Sequence, residues 1–199
     1  MITTKTCEIC NFEDLTDSQK ETVLDRNRDF NVDHDWWEYT IDDCIDIGKL
    51  MGFEMKNIFF RGFHSQGDGA CFTGEFSYRK GMMDEIKSHA PQDEKLHRIC
   101  NDIQDLYRKS FYTMNGSITH RGHYNHERSM SLDYNAYYND IKGRVVEDEW
   151  LDVIADFAIW IYARLEDEYV YLTSDECVAE SIITNGMGFE IDEESELII

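Results

Sequence analysis

The sequence predicts an α+β fold: an antiparallel sheet of about four strands in two hairpins, covered by helices on one face and followed by an acidic helical C-terminal part. Three observations carry this. Hydrophobic spacing is helical through the first quarter of the chain, alternates as a strand does around residues 57–78, and then turns helical again. Two aromatic-rich runs flank a Gly-Asp-Gly turn, as the arms of a hairpin do. Near the end Trp150, Ile154, Phe157, Ile161 and Leu165 recur every three or four residues, which gives one apolar face.

Each element follows from local chemistry. In "LTDSQKETVL" Thr16 and Gln19 form a capping box that starts a helix. "DWWEYTIDDCIDIGKLMGF" reads as a second helix, with Asp35 as its cap and Glu38 at the third position. Its stripe is Trp37, Ile41, Cys44 or Ile45, and Gly48, which leaves Asp42, Asp43 and Asp46 toward water. Trp36 and Trp37 are core residues or an interface anchor. "NIFFRGFHS" and "ACFTGEFSY" make the first hairpin, with Phe72, Phe76 and Tyr78 on one face beside Gly74. "PQDEKLHRICNDIQDLYRKS" starts a helix at Pro91, where a missing N–H does no harm, and buries Leu96, Ile99, Ile103 and Leu106. "FYTMNGSITHRGHYNHERSMSLDY" is the second hairpin, turning near Arg121-Gly122. In the long tail helix Asp148, Asp152 and Asp156 stack in one row, a repulsion of roughly a few tenths of a kcal/mol per pair. A last helix begins with Thr173 and Glu176 as a capping box and stops at Asn185-Gly186. "FEIDEESELII" is then a loose or docking terminus.

A chain of 199 residues suits a single domain, with residues 147–199 as an acidic helical lobe or tail. Hydrophobic content of 42% is ample for a core, so global disorder is excluded. Charge is the unusual quantity, with 41 acids against 19 bases and a net of −22. Sixteen of those acids and one base, Arg164, fall in residues 147–199, leaving 25 acids and 18 bases before them. Such a surface disfavours direct nucleic-acid or anionic-membrane binding and favours a partner with a basic surface. No apolar run reaches the ~18 residues of a membrane span, and "MITTKTCEIC" carries no hydrophobic signal segment. Six scattered cysteines suggest free thiols in a reducing, cytoplasmic setting.

The stretch "FHSQGDGACF" invites a chemical reading. It lacks the lysine of a phosphate-cradling P-loop, and Ser65 is not in a GxSxG elbow. Asp68-Gly69 suits a tight turn, while His64, Ser65, Gln66 and Asp68 also suit a loop that contacts a ligand or partner. "HRGHYNH" spaces His120, His123 and His126 by three; with Asp68 or Asp133 they could ligate zinc, but a polar turn is the simpler reading. Cys7 and Cys10 form a lone CxxC with no second ligand pair. No metal or cofactor is expected.

Across "FFRGFHSQGDGACFTGEFSY", "APQDEKLHRI", "ITHRGHYNHERSMSLD" and "YLTSDE", from about Trp36 to Glu176, the chain resembles a family of small acidic phage and bacterial proteins often loosely labelled antitoxins. Where a cysteine often precedes the methionine of the second hairpin in that pattern, this chain has Arg128 and Ser129. The resemblance implies a phage or mobile-element setting. Three functions are then open, beside that of a small acidic accessory protein with none of these roles. The first is an acidic protein that inhibits a host factor, by imitating nucleic-acid charge with Asp148, Asp152, Asp156, Glu166, Asp167 and Glu168. The second is an antitoxin. The third is a ligand-binding protein or enzyme built on the SQGDGA loop and the histidine turn; convergence of His64, Asp68, His120 and His126 in one pocket would favour it.

Overall fold

The structure, a computed structural model, describes residues 8–134 and 141–191. Cys7 of the CxxC and residues 192–199 of the acidic terminus lie outside the described residues. In chain order the elements are β1 (Glu8–Asn11), α1 (Asp17–Arg26), α2 (Glu38–Leu50), β2 (Phe53–Arg61), β3 (Gly69–Ser77), α3 (Met82–His89), α4 (Glu94–Lys109), β4 (Asn115–His120), β5 (Met130–Tyr134), α5 (Ile141–Leu172), α6 (Asp175–Thr184) and β6 (Gly188–Ile191). The fold is α+β, and the chain divides into two compact units. Trp37–Glu166 forms one, while Met1–Trp36 and Asp167–Ile199 form the other. The acidic stretch 147–199 is therefore shared between the units.

The contiguous unit holds a four-stranded antiparallel sheet in the order β2-β3-β4-β5. Alternation puts Phe53, Ala70, Phe72, Phe76 and Ile118 on its inner face, all buried. The stripe of α5 meets them, because Trp150, Ile154, Phe157, Ile161 and Leu165 are all fully buried. Phe157 stacks on Phe53 at 5.5 Å and meets Phe72 edge-on at 5.7 Å; Trp150 lies 5.0 Å from Phe76 and 4.9 Å from Tyr107 of α4. The α4 stripe of Leu96, Ile99, Ile103 and Leu106 is buried as its spacing predicts.

Several boundaries differ from the sequence reading. Asp35 does not cap α2: the helix begins three residues later, Trp37 takes the cap position without a side-chain bond, and Asp35 is too far from the first free N–H groups. Trp36 and Trp37 are half-buried, not core. Gly52, at φ +89°, ends that helix, so β2 starts at Phe53 rather than Asn57. A bulge between Met55 and Asn57 then sends Lys56 outward to Glu75. Helix α3, with only Met82 and Ile86 buried, is too short to show a period in the sequence. Helix α4 starts after Asp93, not at Pro91. One Asp93 oxygen accepts from Leu96 N–H at 2.8 Å; the other accepts from the indole N–H of Trp160 at 2.7 Å.

The second unit brings the two ends of the described chain together. β1 pairs antiparallel with β6, from Glu8 opposite Ile191 to Asn11 opposite Gly188, so Phe189–Ile191 are strand and not loose tail. Phe12, Leu15 and Val23 pack against Val178 and Ile182 of α6. The Thr16–Gln19 capping box is present. The cap of α6 is Ser174, which accepts from Cys177 N–H; the Thr173 hydroxyl instead donates back to the carbonyl of Tyr169, at the end of α5.

Two predictions follow from this packing. Asp93→Ala removes the acceptor of two donors and should cost about 2–4 kcal/mol by chemical denaturation. The thiols of Cys44 and Cys100 are each pushed up to about 12, chiefly by burial. The unfolded chain ionises these thiols near the ordinary value of 9.0 and the folded chain does not. Their contribution is therefore whole below about pH 9 and lost as pH rises toward 12. Denaturation at increasing pH should show that decline, and Cys44→Ala with Cys100→Ala should flatten it.

Candidate functional site

The loops of the two hairpins meet at one end of the sheet. Residues 62–68 link β2 to β3, and residues 121–129 link β4 to β5. The first connection is thus seven residues long, not a tight Asp68-Gly69 turn. Its order comes from Asp68. One carboxylate oxygen accepts from the backbone N–H of His64 at 3.0 Å and of Ser65 at 2.7 Å, and Asp68 N–H donates to the Ser65 carbonyl. Gly67 supplies the left-handed backbone, at φ +94°. The hydroxyl of Tyr162 on α5 donates to the Gly62 carbonyl at 3.0 Å. Burial first, and then the charges of Glu166 and Asp68, hold that phenol above its ordinary range.

The rest of the motif is internal packing. A Cβ on Gly69 would lie 3.2 Å from the Asn125 carbonyl and 3.4 Å from the His126 backbone, so a side chain here would make the second loop give by a few tenths of an ångström. Asn125 donates its side-chain N–H to the Phe60 carbonyl at 3.1 Å, fastening the second loop to the end of β2. Ala70, Cys71 and Phe72 are all buried. The Ser129 hydroxyl and the His126 backbone lie against the Cys71 sulfur, whose thiol burial pushes up.

The histidines do not converge. His64 and His123 are exposed, while His120 and His126 are half-buried. His120 Nδ1 lies 3.0 Å from Ser129 Oγ, and that hydroxyl donates to the His126 carbonyl. His126 Nδ1 accepts from Arg128 N–H at 3.2 Å and caps the short 3-10 turn Glu127–Ser129. These bonds build a loop. Among the described residues no three His, Cys, Asp or Glu side chains come together as a metal would need. Ser65 and Gln66 remain exposed at the loop tip.

Helix α5 carries the acidic row beside the second loop. Asp148, Asp152 and Asp156 are exposed, on the side away from the buried stripe. Asp152 is engaged: Arg128 donates to it at 2.8 Å. That bond first, then the charge of Asp152 and those of Glu127 and Asp156, hold the Arg128 guanidinium above its ordinary value. Glu166 is half-buried in the same unit, while Asp167, exposed, and Glu168, half-buried, belong to the other. The roles of Asn125, Glu127, Ser129 and Tyr162 escaped the sequence reading. A His-x-x-Ser cap before a short turn was the one available signal.

Residues 36–175 match the family described as "Domain of unknown function (DUF8835)". The chain belongs to this family. The match covers the contiguous sheet-bearing unit and ends at the first residue of α6. No curated protein and no solved structure matches the chain. Among the described residues, no helix is long and apolar enough to cross a membrane.

If Asp68 orders the first loop, Asp68→Ala should abolish amide-exchange protection at His64 and Ser65. The cost in global stability should be only about 1–2 kcal/mol, because the loop is exposed. Protection that survives the substitution would assign the order to Tyr162 and Asn125 instead.

Proposed function

We propose that this protein acts by binding: an acidic inhibitor of the phage or mobile-element type that occupies a basic surface of a host protein, in the cytosol of the host cell. The observation that carries the reading is the Arg128–Asp152 contact. The row on α5 already holds one guanidinium at hydrogen-bond distance, and Asp148 and Asp156 present the same group one helical turn to either side. The opposite face of α5 is locked in the core, so the carboxylates are held in place before any partner arrives. An arginine- or lysine-rich cleft, such as one that grips a phosphate backbone, offers the complementary charge. The net charge of −22 would speed the encounter through long-range attraction. An antitoxin blocking a toxin's basic surface would use the same chemistry.

The test replaces Asp148, Asp152 and Asp156 together by Asn. The three are exposed and mutually repulsive, and an exposed ion pair such as Arg128–Asp152 contributes at most about 1 kcal/mol. The variant should therefore fold as stably as the parent. Parent and variant serve as paired baits in host lysate. A partner retained by the parent, eluted at moderate salt and lost with the variant supports the proposal, with the loss falling mainly on the association rate. Identical captures by both baits remove α5 from the mechanism.

A further inference from the structure

His126 makes two contacts that require opposite protonation states. Its Nδ1 accepts the Arg128 backbone N–H at 3.2 Å, which needs a lone pair on that nitrogen and hence the Nε2–H tautomer. The same atom lies 3.2 Å from Glu127 Oε2, a contact that is attractive only when Nδ1 carries a proton. The Glu127 side chain is 18% exposed and lies against Gly69, so its carboxylate sits in a poorly screened place. Among the described residues, the other titratable or charged groups around His126 are Cys71, which its backbone touches, His120, reached through Ser129, and Arg128, which is held by Asp152.

We propose that residues 126–129 form a proton-operated latch over Cys71, in which neutral His126 caps the turn and protonated His126 leaves the cap to pair with Glu127. A charge-assisted contact is roughly twice as strong as a neutral one, so the ion pair prevails once the ring is protonated. Arg128 N–H then loses its acceptor and the first turn loosens. The turn also carries the Arg128 side chain, so the latch loosens the guanidinium held on Asp152 as well. This inference stands on the loop geometry and is independent of the proposed inhibitory role.

The experiment is amide exchange by NMR, corrected for intrinsic rates, from about pH 7.5 to about pH 5.5. In the parent, protection at Arg128 should fall about five- to tenfold, the worth of one ordinary hydrogen bond. His126→Asn keeps an acceptor oxygen without the titration and should hold protection flat. Glu127→Gln removes the anion that rewards the swap and should shrink the fall. A flat profile in the parent, or an undiminished fall in His126→Asn, overturns the latch. If His126→Asn does not fold, Glu127→Gln decides alone, and an undiminished fall there overturns it equally.

Discussion

Phe157, Phe53 and Phe72 pack in a triangle with ring centroids 5.5, 5.7 and 5.8 Å apart, and Trp150 lies against Phe76 and Tyr107. This aromatic seam fastens α5 to the inner face of the sheet. The seam holds even though Trp150 is fully buried and its indole N–H has no hydrogen-bond partner among the described residues. The magnitudes explain why. Burying about 200 Å² of ring at about 25 cal/mol/Å² is worth about 5 kcal/mol. An unpaired buried N–H costs about 1–3 kcal/mol. Apolar contact therefore wins by a modest margin. Both loops at the candidate site lean on the helix so placed, through Tyr162 to Gly62 and through Asp152 to Arg128.

Elements that answer to a long local period were legible. The stripes of α4 and α5 are buried residue for residue as their spacing required, and Thr16 caps α1 as its box required. Elements decided by distant partners were not. β1 and β6 are four residues each and exist because they pair with one another across almost the whole chain. Helix α3 shows two buried positions, too few to distinguish a helix from a loop. The cap of α6 was ambiguous because two competent residues stand side by side. Thr173 and Ser174 both carry hydroxyls, and the choice fell to the one not bonded back into the preceding turn.

The candidate site was half legible. SQGDGACF stood out in the sequence because its composition is unusual, and its residues turn out to satisfy one another: Asp68 closes the loop, Gly69 admits Asn125, and Cys71 and Phe72 fill the interior. A motif under such geometric demand looks like chemistry when read as letters. The acidic row faces solvent as its spacing implied. Arg128, twenty-four residues away, had no sequence relation to Asp152 that could have paired them.

The pairing of β1 with β6 bears on how the chain assembles as it is made. The sheet-bearing unit is continuous, and its four strands and the part of α5 that packs on them are available once Glu166 has emerged. The other unit is not. Residues 8–36 have no sheet partner or α6 core until residues 175–191 appear, and closing so long a loop carries an entropic cost that grows with its length. Vectorial synthesis thus imposes an order: the sheet-bearing unit can consolidate first, while β1 and α1 wait for α6 and β6.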